Sequence, residues 1–237
     1  MRVIEFPDEG RWIDAAAGEL GSAADRARSA GSGALALCLA GGLTPERVYR
    51  AMAALPLAGL SVDLWLGDER AVPADDPSRN GLMAARSFAD CAWERPPRLH
   101  LWPEAASEEE TGRACAGYEA ELLAALGPRP IFDLAFLGLG ADGHTASIFP
   151  RPADAAEDAR PEGAEGRLAH PSRSPAPPYA RMTLSLSILG AARRRLFLVR
   201  GEDKLPALRK LEAEDPSIPA SLLAGPGSLV LYLSSPK

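Results

Sequence analysis

Asp142 and His144 stand two residues apart in the segment 138–147, a stretch that contains three glycines. Histidine is the side chain best suited to take a proton near neutral pH, and a neighbouring carboxylate fixes its tautomer and stabilises the imidazolium. The glycine-rich setting therefore favours His144 as a general base over a packed or solvated histidine. His100 and His170 have no such setting, and we expect them to be packed or solvated.

Two glycines, Gly41 and Gly42, follow an apolar run at residues 34–40 and precede Thr44 and Pro45. The threonine is suited to the N-cap of a helix and the proline to its first position. Glycines allow a ligand to approach the backbone closely, and a helix N-terminus turns free N–H groups toward an anion. The pattern fits a phosphate cradle and a plain strand-to-helix turn equally well.

Three charged residues, Asp68, Glu69 and Arg70, follow the next predicted strand, at residues 62–66. On its own, this pattern favours a solvated loop over a binding cluster. Within it, only Arg70 could pair with an anion through two parallel hydrogen bonds. Arg181 and Lys204 are further cations close to the ends of later strands, where surface residues are common.

Residue sets that are typical of other chemistries are missing. There is no Gly-x-Ser-x-Gly elbow and no Walker lysine, and the glycines at 138–140 lack the spacing of a dinucleotide fingerprint. The three cysteines, Cys38, Cys91 and Cys115, are widely spaced and fit no zinc pattern. We therefore expect neither a metal ion nor a cofactor.

The composition is that of an ordinary soluble globular protein. Apolar residues make up 46% of the 237 residues and charged residues 24%, which excludes a disordered chain, a fibre and a coiled coil. The N-terminal region has no apolar stretch of signal-peptide type, and no apolar run is long enough to span a membrane. A net charge of −6 disfavours binding to nucleic acid, and the cysteine usage indicates a reducing cytoplasm.

Helical and strand patterns alternate along the chain. Apolar spacing predicts helices over 11–29, 45–55, 82–88, 108–126 and 203–211, and strands over 34–40, 62–66, 99–102, 132–139, 182–188, 196–199 and 229–233. This order predicts one α/β domain over 1–237, with a mainly parallel sheet. Residues 151–178 are rich in proline and glycine, and we expect a surface excursion with one short extended piece near Leu168. Ligands bind outside the carboxyl ends of such strands, where the three unusual segments lie.

Together, these segments resemble the 6-phosphogluconolactonase family in type, order and spacing. The resemblance rests on Gly-Gly-Leu-Thr-Pro at 41–45, Asp-Glu-Arg-Ala-Val-Pro at 68–73 and Gly-Ala-Asp-Gly-His-Thr-Ala-Ser-Ile-Phe-Pro at 140–150. Shorter matches follow at 75–80, 181–185, 201–204 and 218–221, so that the resemblance covers nearly the whole chain. Leu43 departs from the family, which often has a small polar residue there.

The resemblance implies a Rossmann-like three-layer α/β/α fold and the hydrolysis of 6-phospho-D-glucono-1,5-lactone in the pentose phosphate pathway. It implies that His144 is the general base and that Asp142 orients it. Arg70 would bind the substrate or stabilise negative charge on its carbonyl oxygen. The residues expected to bind the substrate and its phosphate are Gly41, Gly42, Leu43, Thr44, Asp68, Arg181 and Lys204. We expect a cytoplasmic monomer or weak homodimer whose partner is a small sugar phosphate.

Two other functions fit the same fold. Amino-sugar phosphate deaminases carry an acidic residue just after the histidine segment, whereas residues 145–150 contain no carboxylate, and they have Asp-Glu-Tyr in place of Asp-Glu-Arg at 68–70. Non-catalytic sugar-phosphate sensors carry a DNA-binding module, for which the sequence shows no basic helix-turn-helix. The retained Asp142 and His144 also favour catalysis over sensing.

Overall fold

The main sheet has seven parallel strands. The computed structural model describes residues 1–150 and 166–234. In these ranges the strands are β1 (Arg2–Phe6), β2 (Ala34–Leu39), β3 (Ser61–Leu66), β4 (Asp68–Arg70), β5 (Arg98–His100), β6 (Leu134–Gly138), β7 (Ala169–Arg173), β8 (Ala180–Leu184), β9 (Arg195–Arg200) and β10 (Ser228–Leu233). The main sheet has the order β1-β10-β9-β6-β2-β3-β5. The predicted parallel α/β sheet is confirmed, although the sequence reading missed β1.

Helices flank this sheet. They are α1 (Glu9–Ser29), α2 (Leu43–Ala54), α3 (Asn80–Ser87), α4 (Glu108–Leu126), α5 (Leu186–Gly190) and α6 (Leu205–Glu212), and 3₁₀ turns span Glu202–Lys204 and Pro219–Leu223. Five of the α-helices lie where apolar spacing predicts them, within a few residues at each end. α2 packs against both α1 and α3, and α4 packs against β7 and β8.

The core follows from the apolar runs. Every residue of β10 is buried, as are the last five of β2, which is what strands covered on both faces require. Buried aromatic side chains tie the helices to the strands. The Trp12 indole N–H donates to the Leu231 carbonyl over 2.9 Å, and the Tyr118 hydroxyl accepts from the Leu66 N–H over 2.7 Å. These bonds join α1 to β10 and α4 to the carboxyl end of β3.

A second, antiparallel sheet has the order β4-β8-β7 and was not predicted. The charged segment at 68–70 forms its first strand, with Asp68 opposite Thr183 and Arg70 opposite Arg181. Asp68 and Glu69 are buried, so the interpretation of this segment as a solvated loop is wrong. The pairing strand lies more than a hundred residues further along the chain, and local charge therefore gave no sign of this burial.

The strand predicted over 182–188 is also wrong beyond Leu184. Leu186, Ser187, Ile188 and Leu189 lie in α5, where the Leu189 N–H bonds to the Ser185 carbonyl over 3.2 Å. Leucine and isoleucine two residues apart fit both a strand and a short helix, so the pattern could not decide between these two structures. Of the predicted excursion over 151–178, residues 151–165 lie outside the described ranges, and the extended piece near Leu168 is β7.

Candidate active site

A cleft of about 430 Å³ opens at the carboxyl ends of β2, β6 and β9, beside β4 and β8. The predicted site residues that line it are Gly41, Gly42, Leu43, Thr44, Asp68, Arg70, His144, Arg181 and Lys204. Asp142 lies behind the histidine ring and contacts it directly. The fold therefore brings together residues that are up to 163 positions apart, from Gly41 to Lys204.

Asp142 and His144 form a closely coupled pair. The histidine Nδ1 lies 2.6 Å from Asp142 Oδ1, and the same oxygen accepts the His144 backbone N–H over 3.0 Å. Partial burial works to raise the pKa of Asp142, but these hydrogen bonds and the charge interaction with the imidazole outweigh it and hold that pKa below its usual value. Because an ionised carboxylate only accepts, Nδ1 carries the hydrogen and Nε2 of the neutral ring keeps its lone pair.

Two glycines shape the loop that carries this pair. The Gly140 N–H donates to the His144 carbonyl over 2.8 Å, and the Gly143 N–H returns to the Gly140 carbonyl over 3.0 Å. A β-carbon on Gly140 would lie 2.1 Å from the His144 Nδ1. Gly143 has a φ of +89°, and a β-carbon there would lie 2.4 Å from Ile218. Gly140 therefore has to be glycine for the imidazole to keep its place, and Gly143 for the loop to keep its conformation beside Ile218.

Two arginines lie side by side on the second sheet. Arg70 and Arg181 are opposite each other on β4 and β8, and both line the cleft. The Arg70 guanidinium donates to the Ser78 carbonyl, whereas Arg181 Nη1 is buried and has no partner among the described residues. Burial and the positive charge of Arg70 lower the pKa of Arg181. A bound anion would relieve both effects, which makes this pair suited to a phosphate or carboxylate.

Asp68 is held by two neutral donors in the wall of the cleft. Its Oδ2 accepts from the Ser147 hydroxyl over 2.5 Å, and its Oδ1 accepts from the Asn80 amide over 3.2 Å. The buried Glu69 beside it accepts the backbone N–H groups of Asn80 and Gly81, over 2.7 and 2.8 Å. Sequence reasoning gave no role to the glutamate, the asparagine or the serine, because their contacts exist only in the folded chain.

The glycine loop offers backbone groups to the cleft. The helix that follows, α2, begins at Leu43, and its N-cap is Gly42, which has a φ of +97°. The helix thus begins before Thr44, the N-cap that the sequence predicts. The prediction of Thr44 as N-cap is therefore wrong, because only glycine readily adopts this backbone conformation. No side chain within the described ranges caps the helix, so its first N–H groups are left for an anion. Leu43 is 84% exposed at the rim.

Lys204 and Arg200 complete the wall from the end of β9. The Lys204 Nζ lies 3.4 Å from Asp203 Oδ2, and the Arg200 guanidinium donates to Glu9 Oε1 over 2.7 Å. Sequence reasoning singled out the lysine and missed the arginine. The position of Arg200 at the end of a buried strand, one residue before Gly201, was the signal that could have identified it.

The cleft is positively charged, although the chain carries a net charge of −6. Arg70, Arg181, Arg200 and Lys204 line it with one carboxylate, that of Asp68, among the described residues. Over the same ranges, no cluster of histidine, cysteine and carboxylate side chains has the arrangement of a metal site. No helix found there is both long and apolar enough to cross a membrane. The arrangement suits an anionic ligand that reacts with water beside a histidine.

Comparisons with known proteins agree with the motifs. The family model described as "Glucosamine-6-phosphate isomerases/6-phosphogluconolactonase" matches residues 7–231. A 6-phosphogluconolactonase of Synechocystis sp. is 35% identical over 83% of this chain and 80% of its own length. One from Mesorhizobium japonicum is 34% identical over 90% of this chain and 86% of its own length.

Solved structures give the same result for the fold. The crystal structure of 6-phosphogluconolactonase from Thermotoga maritima has a TM-score of 0.77 at 26% identity, covering 98% of this chain and 99% of that one. The enzyme from Leishmania guyanensis has a TM-score of 0.76 at 28% identity, covering 98% and 96%. These matches confirm the fold class and the resemblance that the motifs carried. The chain belongs to the family of glucosamine-6-phosphate isomerases and 6-phosphogluconolactonases.

Proposed function

We propose that this protein hydrolyses 6-phospho-D-glucono-1,5-lactone to 6-phospho-D-gluconate, a step of the pentose phosphate pathway. The observation that carries the proposal is the presence of the coupled pair Asp142 and His144 in a cleft that four cations line. The pair supplies a base for water, and the cations suit a dianionic phosphate. The lactonase names of the relatives support the same substrate.

In this reaction, His144 Nε2 takes a proton from water as the water oxygen bonds to the lactone carbonyl carbon. The carbonyl oxygen becomes an oxyanion, and Arg70 stabilises its charge. Collapse of this intermediate breaks the bond from the carbonyl carbon to the ring oxygen. The imidazolium then returns its proton to that oxygen, and Asp142 stabilises the imidazolium throughout. A lactone is an activated ester, so water and one base are sufficient.

The phosphate end of the substrate provides binding energy far from the reacting carbon. We assign it to the backbone of Gly41 and Gly42, the first turn of α2 from Leu43 and Thr44, and the cations Arg181 and Lys204. Asp68 binds a hydroxyl of the sugar ring, because it is an acceptor whose two oxygens are already oriented by Ser147 and Asn80. Holding both ends of the substrate aligns the carbonyl carbon with the base.

The deaminase function is less well supported. Residues 145–150 contain no carboxylate to move protons between sugar carbons, and the third residue of the segment at 68–70 is Arg70. The proposal further takes the protein to be a single domain, a cytoplasmic enzyme, and a monomer or weak homodimer that needs no cofactor.

One assay separates the lactonase from its alternatives. Freshly prepared lactone is followed by NMR with and without enzyme, and ammonia release from glucosamine 6-phosphate is measured on the same sample. We expect lactone decay well above the spontaneous rate and no ammonia. Ammonia release without faster lactone decay would establish the deaminase. Binding of the sugar phosphate without either reaction would establish a sensor.

A further inference from the structure

Arg200 lies in the wall of the cleft without a role in the reaction described above. It ends β9, four residues before Lys204, and β9 packs against α2, whose uncapped first turn faces the same cleft. This places a guanidinium at the end of the cleft where the phosphate is assigned.

The guanidinium has donors left over. Its Nη1 bonds to Glu9 Oε1, while Nε is buried and has no partner among the described residues. Nη1 is the one donor for which the described residues provide a hydrogen bond. Nη2 therefore remains, and a guanidinium N–H of this kind suits a phosphate oxygen.

Glu9 holds this arginine in place. Its other oxygen, Oε2, accepts from Arg47 over 2.8 Å, so that one carboxylate joins the start of α1 to α2 and to the end of β9. A side chain that is already fixed loses less freedom when a ligand binds. The ion pair with Glu9 therefore prepares Arg200 for a ligand and leaves Nη2 for that contact.

We propose that Arg200 is a specificity-determining residue that binds the phosphate of the substrate, together with Lys204 and the first turn of α2. This inference rests on the proposed function, because it identifies a further contact for the same phosphate. It adds one cation to those that the sequence motifs assign to this group.

The test compares Arg200→Met with Arg47→Met. Both variants remove an arginine that bonds to Glu9, but Arg47 is outside the lining of the cleft. Binding of 6-phosphogluconate is measured by calorimetry, and inhibition by inorganic phosphate is measured with the lactone as substrate. For Arg200→Met we expect the dissociation constant of 6-phosphogluconate and the inhibition constant of phosphate each to rise about tenfold, since a charge-assisted contact is lost. For Arg47→Met we expect changes below about twofold.

Arg200→Gln provides a second variant if the methionine disrupts folding, because its amide can still donate to Glu9. We expect the same loss of phosphate affinity, and a KM that rises by a larger factor than kcat falls. Unchanged phosphate affinity in a folded Arg200 variant would overturn the proposal, as would an equal loss in Arg47→Met. Failure of the proposed function is distinct: the wild-type protein would then leave lactone hydrolysis at its spontaneous rate, whatever the phosphate affinity of the Arg200 variants.

Discussion

Replacing His144 by alanine tests the catalytic assignment most directly. A positioned general base contributes roughly 10²–10⁴-fold to a rate. The His144 side chain is 35% exposed, so that solvent can partly replace it as a proton acceptor, and Arg70 and the phosphate contacts remain. We therefore expect the lower part of the range, a fall in kcat of about 10²–10³, which corresponds to roughly 3–4 kcal/mol of barrier.

The fold should survive this substitution. Apart from Asp142, the imidazole contacts the ring of Phe149 at 4.8 Å between centroids, and the loop hydrogen bonds at Gly140 use backbone atoms that alanine retains. The melting temperature of His144→Ala should thus stay close to that of the wild-type protein. A matched control is His170→Ala, which removes a histidine on β7 outside the lining of the cleft.

The assay follows fresh lactone by stopped flow or NMR and subtracts the spontaneous hydrolysis measured in the same buffer. The reasoning is refuted if folded His144→Ala keeps a kcat within a few-fold of the wild-type value. It is also refuted if His170→Ala loses as much activity, because the effect would then not depend on the cleft.

Asp142→Asn should lower kcat by at least about 10²-fold, because the asparagine amide can donate to Nδ1 of His144 and so leave the ring hydrogen on Nε2. An unchanged kcat in the same lactone assay would contradict the assignment of the hydrogen to Nδ1. Arg181→Ala and Lys204→Ala should each raise KM roughly tenfold to a hundredfold with a smaller fall in kcat, since each loses a charge-assisted contact of about 1.5–3 kcal/mol. Equal losses on unphosphorylated gluconolactone would exclude these two cations as phosphate ligands. Activity should persist after exhaustive treatment with EDTA, and a loss that one divalent ion reverses would show that a metal is required.

The buried parallel strands could be predicted because their residues are mostly apolar and because segments of helical spacing separate them. β1 was missed, since it lies at an edge of the sheet and its residues are only partly buried. The second sheet was missed for a different reason. Its pairing of Asp68 with Thr183 joins distant segments, and the charged residues of β4 conceal their burial. A local pattern carries no information on such a pairing.

The two halves of the candidate site differ in the same way. The base is built within five residues, where Gly140, Asp142, Gly143 and His144 bond to one another, so its chemistry can be recognised from the sequence. The anion-binding half is assembled from β2, β4, β8 and β9, and its cations depend on long-range contacts. Arg181 was therefore noted only as a cation near a strand end, and its role in binding came from the resemblance to a family.

Arg200 shows what this difference means for substrate recognition. Its partner Glu9 is 191 positions away, and neither residue belongs to a motif. Contacts of this kind can vary without altering the loop that holds His144, because the two share no hydrogen bond among the described residues. Affinity for the phosphate can thus be adjusted at the end of β9, while the base, its carboxylate and their glycines remain as the chemistry requires.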